Sequence, residues 1–495
     1  MKFKFFAALA ALYLGSAGSV KAELSYGLPS EIKDGNILHC FDWKINDIKK
    51  ALPDIAEAGF VAVQLSPLQR NSANGVLWSD VYRPLDFDFY TSGLGSEAQL
   101  KSLCAEAESY GIKVIVDVVF NHVDKAATGW WKQNDHLRST TANVNYGNRH
   151  SITHDNMDGQ NGSQYPEVNS ENPEVIARAK AYIQRLHDCG VRGIRFDAAK
   201  HIALPSEGCD FWKEVTSVPD MFYYGEILDS PGGANAAALM KEYTDYMSVT
   251  DDAYGRTARG SAGTPSSNGN WVNRGIDGSK IVYWGESHDT YANDVNYGGE
   301  TKNVSQAAID RAYANVASRS AGVALYFSRP PYKAYGDIKV GQKGDDNYQN
   351  AHIAEVNKFK NAMVGRAESY SQKSGVVSIT RQGGGAVIIK QTGAGNVSIA
   401  NGGGFCPEGT YIDKVSGNTF TVTSETITGT TGSSGIAVIY DEDALGAGIG
   451  DVFEEDFDLE TASWYTLQGV KISHPTEKGI YIVSSPSGKT KKIIL

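Results

Sequence analysis

From residue 37 onward, short runs of β-branched and aliphatic residues alternate with longer segments of helical period. Continuous apolar runs at 37–41, 61–65 and 114–119 predict strands buried on both faces, and 191–196, 222–227, 281–284 and 323–327 continue the series. Between them, 96–110 and 173–189 carry the 3.6-residue period. The second of these has Asn172 as N-cap and Pro173 in its first turn, places Val175, Ala179, Ile183 and Leu186 on one face, and stops at Gly190. Repeated strand–helix alternation demands a parallel sheet. Seven or eight units over about 330 residues fit a closed (β/α)8 TIM barrel better than an open sheet.

Two stretches break the alternation. Residues 123–172, between the third strand and the next helix, are rich in Asn, Gly, His and Asp; so long a loop is functional or a small inserted domain. Beyond residue 370 the helical period gives way to short β-rich segments at 375–381, 386–391, 419–423 and 436–440, the pattern of a C-terminal antiparallel β-sandwich. An acidic linker at 451–460 precedes a last pair of apolar stretches. The expected division is a leader at 1–22, a barrel at 23–122 and 173–368, an inserted domain at 123–172, a sandwich at 369–442, and a linker with a small β tail at 443–495.

The leader follows from Lys2 and Lys4, an apolar run at 5–14, and Val20-Lys21-Ala22, which together resemble a secretory signal with its cleavage site. The run is shorter than the ~20 residues of a membrane span, and no later stretch could form one. Lys+Arg 46 against Asp+Glu 57 leaves a net charge of −11, a field that repels nucleic acid and anionic lipid. Five cysteines without a CxxC pair support neither a disulfide scaffold nor a zinc or thiol site; they suit small buried hydrophobes.

In such a barrel the chemistry sits at the C-terminal ends of the strands. Strand three ends Asp117-Val-Val-Phe-Asn121-His122, and strand four Gly193-Ile-Arg195-Phe-Asp197-Ala-Ala-Lys200-His201. Strand five ends Gly225-Glu226, and strand seven Glu286-Ser-His288-Asp289. Any one of these residues could be a helix cap or half of a salt bridge. Three carboxylates, two histidines and an arginine converging from four strands are costly to bury without purpose.

These four strings, in this order and spacing, resemble the four signature regions of the α-amylase family of glycoside hydrolases (family 13). The resemblance runs from about residue 35 to 442 and is closest to secreted bacterial members whose fourth region reads Glu-Ser-His-Asp-Thr-Tyr. It implies endo-acting, retaining hydrolysis of α-1,4-glucosidic bonds in starch, glycogen or malto-oligosaccharides. The expected enzyme is a monomer, exported to the periplasm, surface or surroundings of a bacterium. Asp197 would be the nucleophile, Glu226 the acid and then base, and Asp289 the acid that holds sugar hydroxyls. Arg195, two residues before Asp197 on the same strand face, would keep the nucleophile ionised and oriented.

The remaining roles follow the same resemblance. His122 and His288 would bond the sugar at the cleavage point, with support of the barrel mouth as the alternative for His122. In Trp78-Ser-Asp-Val-Tyr82-Arg-Pro84, Tyr82 would stack on the ring being cleaved. Trp78 would line the donor side or belong to the core. Lys200 and His201 fall on the acceptor side. Calcium is expected between barrel and inserted domain, on the Asn121 side chain, Glu167 (where the family has Asp) and the His201 carbonyl. Asp155 and Asp158 are further ligands or turn residues, and Trp130-Trp131 a sugar platform or the insertion's core. Ser287 stands where the chloride-dependent animal enzymes carry Asn. The tail resembles the β modules that sort exported proteins of Gram-negative bacteria, with a packing appendage as the alternative. A transglycosylase or an exo-acting maltogenic enzyme would share the three acids. A non-catalytic glycan-binding protein would have no need to keep them.

Overall fold

The computed structural model describes residues 26–71, 76–89, 93–259, 271–294, 299–441, 463–466, 471–473, 480–484 and 490–494. Eight parallel strands close into a barrel: β1 (Ile37–Cys40), β2 (Ala62–Leu65), β3 (Lys113–Val119), β4 (Gly193–Asp197), β5 (Phe222–Gly225), β6 (Ser248–Thr250), β7 (Ile281–Trp284) and β8 (Val323–Phe327). Each strand pairs with the next in the chain, and β8 returns to β1 through Ile37↔Leu325. The apolar runs foretold seven of the eight. The missing one, β6, spans three residues and holds its register through Tyr224↔Ser248 and Val249↔Ile281.

Helix starts follow local chemistry. Ser96 caps Glu97–Ser109, its Oγ accepting the Gln99 N–H at 3.3 Å, and Asn172 caps Pro173–Asp188 by accepting from Glu174 N at 2.9 Å. The second helix buries Val175, Ala179, Ile183 and Leu186 against the barrel, the face that its periodicity predicts.

The segment between β3 and that helix has little regular structure beyond a turn at Gly129–Lys132 and a helix at Arg149–His154. Bridges His122↔Glu167 and Leu137↔Val168 fold it back on the end of β3. The tryptophan pair packs this insertion. Trp131 is buried edge-on against Phe87 (centroids 4.8 Å apart), while Trp130 stacks on His136 at 3.6 Å beneath the Arg178 guanidinium. That arrangement favours the core role over a sugar platform.

The C-terminal sandwich has two four-stranded antiparallel sheets. One runs Glu368–Lys373, Val376–Arg381, Gly385–Lys390, Ile436–Tyr440, and the other Gly395–Ala400, Thr426–Thr431, Thr419–Val422, Gly409–Ile412. Alternation along the first sheet sends Val377, Ile379, Val387, Ile389, Ile436 and Val438 into the core shared with the barrel. Its other face, including Val376, Ala386, Ile388, Ala437 and Ile439, meets Val397, Ile399, Phe420 and Ile427 of the second sheet. Buried polar contacts seal the seam: Arg319 Nε binds Glu368 at 2.6 Å, and Arg381 Nη2 donates to the Ser318 carbonyl at 2.5 Å.

A separate four-stranded sheet joins Lys471–Ile472, Ser463–Thr466, Ile480–Ser484 and Thr490–Ile494. The expected leader and linker, and much of the tail signature, lie outside the described residues. All five cysteines are free and buried. No helix among the described residues is long and apolar enough to cross a membrane.

Candidate active site

Parallel register sets the centre of the barrel mouth. Asp117 of β3 lies opposite Arg195 of β4, and Val119 opposite Asp197. The buried Arg195 guanidinium binds three acids at once: Asp117 (Nη1–Oδ2, 2.7 Å), Asp197 (Nη1–Oδ1, 3.1 Å) and Glu226 (Nη2–Oε1, 2.5 Å). Directly after Asp197 the backbone turns left-handed at Ala198 (φ 49°), costing roughly 1–2 kcal/mol for an L-residue. The turn lets the Ala198 N–H donate to the second Glu226 oxygen at 2.9 Å. The ends of β4 and β5 are thereby tied through both carboxyl oxygens of Glu226. Gly225 permits the approach, because a Cβ there would lie 2.5 Å from Met247 Sδ and 2.9 Å from Ala199 Cβ.

Charge follows from this crowding. Burial and the neighbouring Glu226 push the Asp197 carboxyl well above the usual range, against the pull of Arg195; Asp117 and Asp289 add to the rise. Asp117 is pushed up to about 7, mainly by burial, with Arg195 again opposing. Arg195 therefore orients Asp197, but it does not offset every other acid facing it. The cluster keeps a proton to higher pH than isolated carboxyls would.

Asp289 stands on the short helix His288–Ala292, whose cap Ser287 exchanges hydrogen bonds with Thr290. His288 Nε2 approaches Asp289 Oδ2 at 3.3 Å, and the Tyr82 ring stacks on the His288 imidazole, 5.3 Å apart and 8° from parallel. The Tyr82 hydroxyl donates to Asp117 at 3.0 Å, so this ring belongs to the same polar centre. Trp78 is buried and packs edge-on against Tyr82 and His288, each at 6.1 Å. His122 Nε2 contacts the Tyr82 carbonyl at 3.0 Å. Burial holds both imidazoles neutral, with pKa lowered to about 4 for His122 and about 3 for His288.

Lys200 and His201 occupy the side toward the inserted domain. Lys200 Nζ donates to the Leu228 carbonyl at 3.0 Å, and His201 Nδ1 contacts the Ile152 carbonyl at 2.9 Å. Two residues that sequence reasoning missed complete this side. Arg149 donates to the Lys200 carbonyl at 2.6 Å and forks onto Glu207 at 2.8 and 2.7 Å, clamping insertion to barrel. Tyr146 is 52 % exposed, with the Lys200 ammonium 4.9 Å from its ring centre and the His201 ring edge-on at 5.7 Å. An aromatic in a polar, irregular insertion carries no periodic signal.

Two of the expected calcium ligands, Asn121 and Glu167, meet at the same junction. Asn121 Nδ2 donates to Glu167 Oε2 and Met157 N to Glu167 Oε1, both at 2.7 Å. Burial pushes the Glu167 carboxyl up to about 8, and no basic side chain among the described residues forms an ion pair with it. A half-turn of the Asn121 amide would present its oxygen instead. With main-chain carbonyls this is the all-oxygen donor set that calcium takes, so the residues fit the ion. Glu167 is the one carboxylate in the expected set, and no group of three His, Cys, Asp or Glu among the described residues could hold a metal. Asp158 accepts four backbone N–H bonds of its own loop, and Asp155 accepts the Thr140 and Ser151 hydroxyls. Both act as turn residues.

Glu286 and Arg329 form a support that the signature strings only half display. Glu286 is 1 % exposed and takes both arms of Arg329, at 2.7 and 2.8 Å. Arg329 also donates to the Val304 carbonyl at 3.0 Å, and its pair with Glu286 joins the ends of β7 and β8.

Residues 28–283, more than half of the 495-residue chain, match the family model of the alpha amylase catalytic domain. An alpha-amylase of Clostridium acetobutylicum is 32 % identical over 443 residues, covering 84 % of this chain and 55 % of the relative. One of Butyrivibrio fibrisolvens is 29 % identical over 514 residues, covering 86 % and 50 %. The chain thus spans about half the length of the curated relatives it matches. Among solved structures, a mutant of alpha-amylase I from Eisenia fetida in complex with maltohexaose superposes with a TM-score of 0.64 at 19 % identity, over 84 % of this chain and 98 % of that one. The gamma-CGTase of an alkalophilic Bacillus clarkii gives 0.66 at 14 % identity, over 94 % and 83 %. These similarities concern the fold.

Removing Arg329 alone leaves a buried, unpaired Glu286, so R329M should destabilise the protein by roughly 3–5 kcal/mol. The double variant E286M/R329M should cost clearly less than the sum of the two single variants. Urea unfolding of the four proteins measures both effects; additive losses would show that the pair is not coupled.

Proposed function

The chain belongs to the alpha-amylase family, and on that premise we propose that it hydrolyses internal α-1,4-glucosidic bonds of starch-like glucans with retention of anomeric configuration. The observation that carries this reading is the Arg195 fork, which holds Asp197 and Glu226 together at the mouth of the barrel. A retaining mechanism needs two carboxyls close enough for one to attack the anomeric carbon directly, without an intervening water. One guanidinium in contact with both favours that spacing.

In this reading Glu226 delivers a proton to the leaving glycosidic oxygen while an Asp197 carboxylate oxygen forms a bond to the anomeric carbon. Water then attacks the glycosyl ester, with Glu226 taking its proton. Asp289, paired with the neutral His288, holds hydroxyls of the distorted ring. Tyr82 supplies its stacking face and His122 a hydrogen-bonding edge. Lys200, His201 and Tyr146, grouped on the Glu226 side, receive the leaving sugars. The division into barrel, insertion, sandwich and tail belongs to the same proposal, with catalysis confined to barrel and insertion.

Calcium would be held by Glu167, Asn121 and the His201 carbonyl, supplying positive charge to a buried acid and fastening the insertion to the ends of β3 and β4. Its part is structural. The acceptor-side residues Lys200 and His201 sit on the segment it would fasten.

Two outcomes test these assignments. Wild-type protein should lower the viscosity of soluble starch rapidly and release mixed oligosaccharides, while E226Q lowers kcat by roughly 100- to 10,000-fold and D197N abolishes turnover. A single small product, cyclic products, or wild-type turnover in D197N would contradict them. For calcium, a chelator should lower the melting temperature, added Ca2+ should restore it, and E167Q should remove that difference. An unchanged melting temperature in chelator would exclude the site.

A further inference from the structure

Glu226 is the first residue beyond β5, and the chain that leaves this point is held from the side by β6, the strand too short to show in the apolar pattern. Glu226 N still donates to the Phe196 carbonyl of β4, at 2.9 Å. After that the backbone departs from the sheet and finds its partners on β6 instead. Ile227 N donates to the Thr250 hydroxyl at 2.8 Å, and Asp229 N to Asp252 Oδ1 at 2.9 Å. Thr250 is the last residue of β6, and Asp252 opens the helix Asp252–Arg259. One short stretch therefore grips the exit of β5 on both sides of Leu228. The Leu228 carbonyl, between the two grips, accepts the Lys200 ammonium at 3.0 Å.

Both grips lie out of water. Thr250 is 1 % exposed and Asp252 7 %, so deleting either acceptor would strand a backbone N–H that the native chain satisfies. Asp252 is itself braced: its Oδ2 accepts Arg256 Nη2 at 3.0 Å, and Arg256 Nη1 approaches Asp229 Oδ1 at 3.4 Å. These contacts surround the left-handed turn at Asp229 (φ 58°) and hold it in one conformation. Leu228, Asp252 and Arg256 also border a small cavity that Asp289 lines from the other side. The grip thus stands next to the mouth, where an error of about 1 Å in the placement of a reacting group can cost roughly 100-fold in rate.

We propose that Thr250 and Asp252 are positioning residues: they fix the backbone directly after Glu226, and with it both the acid and the Lys200 contact that meets the leaving sugar. They act through the Ile227 and Asp229 amides and touch no substrate. This role rests on the retaining-hydrolase reading above.

Two substrates separate positioning from plain support of the fold. Maltoheptaose needs a proton on its leaving oxygen and sends its acceptor sugars past Lys200, whereas α-maltosyl fluoride needs neither. In T250V and D252A, kcat/KM for maltoheptaose should fall roughly 10- to 100-fold, while kcat/KM for the fluoride stays within about twofold of wild type. T250S, which keeps the hydroxyl, should recover most of the loss. Circular dichroism confirms the fold of each variant, and D252N, which keeps an acceptor for Asp229 N, replaces D252A should that protein not fold. Equal losses on the two substrates, no loss on maltoheptaose, or a T250S as impaired as T250V would overturn the positioning role alone. A wild type inactive on both substrates would overturn the underlying reading and this role with it.

Discussion

One positive charge organises the mouth of this barrel. Arg195 is buried where four carboxyls face inward, three of them in direct contact with it. Without it, Asp117, Asp197 and Glu226 would share a low-dielectric space with only each other, and losing one partner of a buried ion pair costs roughly 3–5 kcal/mol. With it, the acids are fixed in direction and their excess negative charge keeps a proton in the cluster. The Arg195 contacts thus supply position, while burial and the crowding of the acids, which Arg195 only partly offsets, hold the proton.

Around this centre the fold spends irregular structure at the mouth of the barrel and regular structure elsewhere. The sandwich packs against the barrel through a sheet buried on both faces, a joint with little freedom. The insertion meets the barrel through polar contacts: the Arg149 fork, the Asn121–Glu167 bond and the His201–Ile152 bond. Polar joints of this kind hold a loop in one direction without an apolar core of its own size. They bring Tyr146 to Lys200 and His201 from a segment with one short helix.

The parts legible in the sequence are those with a strong local rule. Strands buried on both faces appear as unbroken apolar runs, which is why seven barrel strands and Val376–Arg381, Gly385–Lys390 and Ile436–Tyr440 stand out. The strand β6 is too short to make a run. Gly395–Ala400 and Thr426–Thr431 face solvent on one side and Gly409–Ile412 on both, and all carry Thr, Gly or Asn, so they resemble turns. The placement of Arg195, Asp197, Glu226 and Asp289 at the mouth was legible because they lie in or just after apolar runs, in three strings of recognisable order. Arg329, Arg149 and Tyr146 were not, because their roles depend on partners 43, 51 and 55 residues away in the chain. Spacing along the chain carries no trace of such meetings.

The central claim is that Asp197 attacks the sugar and Glu226 serves it from the opposite arm of Arg195. Trapping the intermediate tests this directly. E226Q should accept a fluorinated maltosyl fluoride, whose leaving group needs no acid, and should then fail to release the sugar. Peptide mass spectrometry should find the maltosyl group as an ester on Asp197. A maltosyl group on any other residue, or no adduct together with a product of inverted anomeric configuration, would contradict the account.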